Sequence, residues 1–123
     1  MSNPIVVNPD MWSINHTPAA SAQATISKGA VPGIRHFCTS ICAALAAAAA
    51  QTIIQVNLRD GASGAGTILW SQSILVPIGG YVDIQISGLN IPGTAGNAMT
   101  LEFSGAPVAT NVESVALTGY DTV

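Results

Sequence analysis

Ile34-Arg35-His36-Phe37-Cys38-Thr39-Ser40-Ile41-Cys42-Ala43-Ala44-Leu45-Ala46-Ala47-Ala48-Ala49-Ala50-Gln51 is the stretch on which the fold class turns. Alanine is the best helix former, so Ile41 to Gln51 can be a helix on propensity. Against that, Phe37, Cys38, Thr39, Ile41 and Cys42 are aromatic, β-branched or compact residues suited to a pleated surface. No N-cap followed by Glu or Gln at capping-box spacing precedes the alanine run. The balance favours a long strand fading into an alanine-rich connection. On that strand Arg35, Phe37, Thr39, Ile41, Ala43 and Leu45 share one face, and His36, Cys38, Ser40 and Cys42 share the other.

The flanking sequence agrees with a strand. Downstream, Ile54, Val56 and Leu58 alternate with Ile53, Gln55, Asn57 and Arg59, giving a strand over Thr52 to Arg59. Asp60-Gly61-Ala62-Ser63-Gly64-Ala65-Gly66 is a hairpin loop by composition, since glycine and Asp suit positive φ angles. A strand resumes from Thr67 to Val76 and ends at Pro77 and Gly79-Gly80. Val82, Ile84 and Ile86 alternate with Asp83, Gln85 and Ser87. A long turn from Gly88 to Gly96 follows, then a strand through Met99, Leu101 and Phe103. After a break at Gly105 to Thr110, a last strand runs from Asn111 to about Tyr120, with Val115 and Leu117 on one face. Upstream, Ala22, Ala24 and Ile26 alternate with Gln23, Thr25 and Ser27, and Gly29 to Gly33 form a turn. Seven strands at regular spacing, separated by Gly/Pro turns, predict an all-β fold: an antiparallel β-sandwich, jelly-roll-like. Residues 21–123 are expected to form that domain. Residues 1–20, broken at Asn3-Pro4, Asn8-Pro9, Asn15 and Thr17-Pro18, are expected to form an extended N-terminal arm.

The 123 residues fit one domain, with enough buried surface to need no metal or disulfide. Charged residues are only 7% of the chain, against about 25% in ordinary soluble domains, while 49% are apolar. Such a neutral surface implies coverage by neighbours, in an oligomer or larger assembly, with a monomer of neutral Ser/Thr/Asn/Gln surface as the alternative. The longest apolar run, Ile41 to Ala50, falls short of the roughly 20 residues of a membrane span. Met1-Ser2-Asn3-Pro4 lacks a basic n-region, which points to a cytoplasm-like compartment. Lys28, Arg35 and Arg59 are the cations in a chain of net charge −3, so no basic patch for nucleic acid exists.

No catalytic constellation emerges from the sequence. Cys38 and Cys42 on one strand would lie about 13 Å apart, too far for a disulfide. With His36 they are too spread to close on a zinc ion, and they read as buried free thiols. The glycine loop at 61–66 lacks the Gly-Lys-Ser/Thr of a phosphate loop. The six carboxylates sit singly in strands and turns. The expectation is a protein that is not an enzyme and holds no cofactor or metal.

Arg35 to Ser40, Asn57-Leu58-Arg59-Asp60-Gly61, Gly66-Thr67-Ile68-Leu69-Trp70-Ser71, Ser87-Gly88-Leu89-Asn90-Ile91, Met99 to Phe103 and Leu117-Thr118-Gly119-Tyr120 together resemble small structural proteins of tailed bacteriophages and prophages. The resemblance covers about residues 34–121 and rests on overall texture. It implies a jelly-roll-like capsid decoration, or cement, protein of the virion, assembled in the bacterial host cytoplasm. Its partner would be the major capsid protein or another virion protein, with neither nucleic acid nor membrane involved. The arm would grip a neighbour through Ile5, Val7 and Trp12. A homo-oligomer, trimer or dimer, is expected, with the run Ala43 to Ala50 either packing at a symmetry axis or simply filling the core. The alternative is a tail- or fibre-associated sandwich module binding a host glycan or another virion protein. Trp70 with Asp60, or Tyr120 with Asp121, would then supply the sugar contacts.

Overall fold

In a computed structural model, which describes residues 10–123, the deciding stretch is a strand. Nine strands are present among the described residues: β1 (Asp10–His16), β2 (Thr25–Lys28), β3 (Arg35–Ala46), β4 (Gln51–Asp60), β5 (Thr67–Val76), β6 (Tyr81–Ile86), β7 (Ile91–Pro92), β8 (Met99–Phe103) and β9 (Val112–Thr122). They form two antiparallel sheets packed as a sandwich. The first has the order β1-β9-β3-β6, with β7 also pairing β3; the second has the order β2-β8-β4-β5. The all-β sandwich expected from alternation is the fold observed.

The alanine run is a strand because its alternate residues have a core to enter. Ala43, Leu45 and Ala47 are buried, while Ala46 and Ala48 are exposed. The segment 47–50 then turns the chain into β4, where Ile54, Val56 and Leu58 are buried as their alternation requires. Facing them across the core are Ile41, Leu45, Val115 and Leu117 of the first sheet. Met99, Leu101 and Phe103 complete the second sheet's inner surface, each with no solvent exposure.

Three features depart from the expected layout. Strand β3 does not keep one alternation throughout: its register with β9 shifts between Cys38 and Ser40. Thr39 is the extra residue of a β-bulge, and beyond it the inward-facing parity flips. His36 and Cys38 are buried before the bulge, and Ile41, Ala43 and Leu45 after it. Cys38 and Cys42 therefore lie on opposite faces, which corrects the shared face expected for them. Second, the long turn between β6 and β8 contains the short strand β7. Third, Asp10–His16 is no free arm. It pairs along β9 from Asp10↔Asp121 to His16↔Val115, so the packed domain starts about ten residues earlier than the expected boundary at 21.

Two buried carboxylates behave oppositely. Glu102 lies on the outer face of the second sheet but is covered by the β4–β5 loop. It accepts hydrogen bonds from Thr25 Oγ1 (2.9 Å), Ser63 Oγ, the Gly64 amide (2.9 Å) and Arg59 Nε (3.0 Å). Burial acts to raise its pKa, but these donors together hold it below the usual carboxylate value. Within that loop, Gly66 has φ +79° and so little room beside the Asp60 carbonyl that a Cβ would collide with backbone. Glu113 points inward near the start of β9. One of its oxygens accepts from the Ala24 amide (2.8 Å) and the other has no partner. Burial pushes its pKa from 4.5 up to about 7, against the weaker opposing effect of the Ala24 hydrogen bond.

The signs of these shifts give a pH profile. Glu102 contributes stability above its unfolded value, and this is lost as pH falls through its depressed folded value. Glu113 binds its proton more tightly when folded, so stability falls as pH rises from about 4.5 through about 7. The second limb amounts to up to about 3 kcal/mol. Urea midpoints measured between pH 4 and 8 should descend across that window, and Glu113→Gln should flatten the descent. Glu102→Gln should cost about 2–3 kcal/mol, since it leaves Arg59 beside a buried site without its counter-charge.

Candidate binding surface

The outer face of the first sheet, turned away from the core, presents a coherent surface. On β9 the outward residues are Ser114, Ala116, Thr118 and Tyr120, and on β3 beyond the bulge they are Cys42, Ala44 and Ala46. Cross-strand pairs Cys42↔Ala116 and Ala44↔Ser114 make the two central strands a floor of small side chains. Each edge strand raises a wall. On β6, Val82 and Ile84 pack on the core, so Tyr81, Asp83 and Gln85 project outward, all exposed. Tyr81 stands beside Ala46, Asp83 beside Ala44 and Gln85 beside Cys42. On β1 the exposed Ser13 and Asn15 flank Thr118 and Ala116. The result is a trough with a floor two strands wide, roughly 14 Å between the backbones of its two walls at a strand spacing near 4.8 Å.

One end of the trough is closed by an apolar row: Met11, Tyr120, Phe37 and Pro92 are successive cross-strand neighbours on β1, β9, β3 and β7. The Phe37 and Tyr120 rings stack with centroids 4.8 Å apart and planes 4° from parallel. Tyr120 donates its hydroxyl hydrogen to Asn90 Oδ1 at 2.6 Å, which ties the β6–β7 turn to this end. Asp83 accepts from Gln85 Nε2 at 2.8 Å through one oxygen. Among the described residues, Asp83 is the one charged residue in the trough.

Both aromatic–carboxylate pairs expected for sugar contact are occupied elsewhere. Asp121 neighbours Tyr120 in sequence but points to the opposite face of the strand. Its Oδ1 accepts from Trp12 Nε1 (2.7 Å) and faces His36 Nδ1 (2.6 Å). Asp60 holds the β7–β8 turn, accepting from the Thr94 amide (2.9 Å) and hydroxyl and from Asn97 Nδ2 (3.4 Å). Burial acts to raise its pKa, but these bonds and the charge of Arg35 bring it below the ordinary Asp value. Trp70, paired with Leu58, packs partly against the core.

Trp12, expected to anchor an arm on a neighbouring molecule, is instead tied to its own domain. Its ring meets His36 edge-on at 6.0 Å, Lys28 Nζ lies 5.7 Å from its centroid, and it passes so close over Gly119 that a Cβ there would collide with it. The indole and His36 form a partly buried clasp whose second imidazole nitrogen faces the Gly29 carbonyl at 2.8 Å. Ile5 and Val7, the other two expected anchors, lie outside the described residues. Cys38 is buried and its thiol is pushed up to about 12 by that burial, with the Ser40 carbonyl contact acting the other way, which leaves it in the unreactive thiol form. Among the described residues no group of three His, Cys, Asp or Glu side chains is placed to hold a metal ion.

No protein-family model matches the sequence, and comparison with curated proteins finds no match. Among solved structures the chain is similar to CBM4, a carbohydrate-binding module, with a TM-score of 0.51 at 16% identity, over 87% of this chain and 70% of that one. It is also similar to CsCBM6-3 from Clostridium stercorarium, determined in complex with cellobiose (TM-score 0.42, 20% identity, 89% of this chain and 82% of that one). A third similarity is to a Bacillus endospore appendage pilus (TM-score 0.36, 13% identity, 96% of each chain). The first of these places the chain in the same β-sandwich fold class.

The trough was only half legible in sequence. The alternation Tyr81, Asp83, Gln85 is visible there, but the floor opposite it depends on the bulge and on strand order. For Trp12, Trp12→Phe separates the two roles. As part of an internal clasp it should lower stability by about 1–2 kcal/mol in urea denaturation, through loss of the hydrogen bond to Asp121. An unchanged midpoint would return Trp12 to the role of an outward anchor.

Proposed function

We propose that this protein is a non-catalytic binding module whose trough on the first sheet takes an extended glycan. The observation that carries this reading is the row Tyr81, Asp83 and Gln85 standing exposed along one wall of a floor of alanine, serine and cysteine. A sugar ring has an apolar face and a rim of hydroxyls. An exposed tyrosine ring suits the face, a carboxylate and an amide suit the hydroxyls, and a floor of small residues lets the chain lie close to the sheet. Asp83 keeps one oxygen free for a hydroxyl donor, while its bond with Gln85 orients both groups. The fold shared with CBM4 supports the same reading. With the texture of a phage structural protein, it favours a tail- or fibre-associated module that meets a bacterial surface polysaccharide. Capsid cementing has less support, since no feature of the fold is particular to shell binding.

Glycan-array screening followed by affinity electrophoresis on soluble polysaccharides tests the proposal. Retardation by at least one polysaccharide is expected, and Tyr81→Ala should weaken it about tenfold or more without shifting the denaturation midpoint, because the Tyr81 side chain is 64% exposed. Asp83→Asn should weaken it less, keeping the acceptor but losing the charge-assisted bond. Absence of binding across the array, together with co-sedimentation on phage shells at a symmetry-related copy number, would overturn the glycan reading in favour of decoration.

A further inference from the structure

The second sheet carries a defect that the trough does not use. Strand β8 stops at Phe103, opposite Val56 of β4. Ser104 then caps the ladder: its amide donates to the Gln55 carbonyl (2.7 Å) and its hydroxyl accepts from the Gln55 amide (3.1 Å). Beyond it the chain swings away through Gly105, Ala106 and Pro107, so no strand runs beside Thr52, Ile53 and Ile54 on that side. The gap is a cleft of ≈ 330 Å³, walled by residues 51–54 and 104–108. Its walls are fixed. Gln51 Oε1 accepts from the Val108 amide (3.0 Å) and from Asn111 Nδ2 (3.1 Å), and Asn111 also holds Ala49 through its amide (2.8 Å) and carbonyl (2.9 Å).

Three large aliphatic side chains stand exposed in or near the cleft. Ile53 is 71% exposed, and Leu75 and Ile78 are 67% and 72% exposed. The register between β4 and β5 slips between Gln51↔Val76 and Ile54↔Ile74, which puts the bulged Thr52 and Ile53 opposite Leu75. A bulge with two large aliphatic side chains on its solvent side, beside an interrupted ladder, is a site for adding a short extended segment.

We propose that the occupant is the segment Ile5-Val6-Val7 of a second copy of this chain. Three β-branched or aliphatic residues bounded by Pro4 and Pro9 match a gap three residues long, since proline ends a pairing segment on either side. Residues 1–9 contain no charged side chain, and neither do the residues that wall the cleft. The copy must be a second one for reasons of reach. Chain entry at Asp10 lies beside Asp121, near the end of β9, whereas the cleft lies beside Asn111, just before its start. The two ends of β9 are on the order of 30 Å apart. Val7 is three residues from Asp10, a span of roughly 10 Å at full extension. The segment cannot reach its own cleft, and docking between copies is head-to-tail, with the segment at one pole entering the cleft at the opposite pole of the next.

Complementation between two full-length variants tests this. Val7→Asp spoils the segment and spares the cleft; Ile53→Asp spoils the cleft at an exposed position and spares the segment. Sedimentation equilibrium of the unmodified chain should show a mass that exceeds one chain of 12.4 kDa and rises with concentration. Each variant should remain a single chain with an unchanged circular dichroism spectrum. Their equimolar mixture should form a two-chain species and stop there, because the dimer's free segment and free cleft are both spoiled. A single-chain mass for the unmodified protein at several hundred micromolar would overturn the proposal. So would assembly of Val7→Asp like the unmodified chain, which would assign the cleft another occupant, or a mixture that stays single-chain.

Discussion

One extra residue in β3 sets the arrangement of the first sheet. Strand β3 is its hub, bonded to β9 on one side and to β6 and β7 on the other. Without the bulge at Thr39, an unbroken alternation would put His36 and Cys38 on one face and Ile41, Ala43 and Leu45 on the other, so one group would have to leave the core. With it, both groups point inward. Thr39 itself is held by two bonds: its hydroxyl donates to the Thr118 carbonyl (3.1 Å), and its carbonyl accepts from the Leu89 amide (2.9 Å). The second bond fastens the turn that leads into β7, and so determines where Pro92 meets Phe37. The stacked Phe37–Tyr120 row and the small-residue floor are thus two faces of the same irregularity: large outward residues before it, small ones after it.

The interior poles of the sandwich are organised by polar groups, which is unusual in a chain with so few charges. At one pole Trp12, His36, Asp121 and the Gly29 carbonyl form a clasp; at the other, Gln51 and Asn111 knit the 47–50 turn to the 105–110 loop. Glu102 secures the β4–β5 loop in the same way. Buried polar groups with their partners in place hold a specific geometry, because any displacement leaves a desolvated donor or acceptor. Glu113 is the exception, with one unpaired oxygen beside the first residues of the second sheet. Its protonation at acid pH removes the buried charge, whereas the donors around Glu102 favour the ionised form there.

Most of the strands were legible in the sequence because each has one buried face and so alternates. Val56 and Leu58, Met99 and Leu101, and Val115 and Leu117 are examples. The strand reading of the alanine run held for the same reason: Ala43, Leu45 and Ala47 share a buried face, and tertiary contact overrides alanine's helix propensity. What escaped was non-local. The bulge at Thr39 leaves no mark in composition, and β7 is two residues long, too short for any period. Strand β1 was hidden because Asn15 and Thr17-Pro18 read as breaks and Trp12 as an outward anchor, whereas β9 supplies a complementary edge about 100 residues away. The partners of Trp12 and Asp121 are 109 positions apart. The trough needs β6, β3, β9 and β1 side by side, an order no local pattern encodes.

The two surfaces are compatible because they belong to different sheets. The trough occupies the first sheet's outer face, and the cleft interrupts the second, so a segment seated in the cleft leaves Tyr81, Asp83 and Gln85 open. A shallow polar trough makes few buried contacts, and each sugar hydroxyl it binds must give up water, so a single site is intrinsically weak. In the proposed head-to-tail assembly successive troughs would stand at a fixed repeat, and a repetitive polysaccharide would meet several at once. The second and later contacts form at an effective concentration set by that repeat, which raises avidity by orders of magnitude without any stronger individual contact. A neutral surface suits the proposed arrangement: with few like charges to repel, copies could stack closely, and the exposed Ile53, Leu75 and Ile78 would become interior surfaces of the assembly.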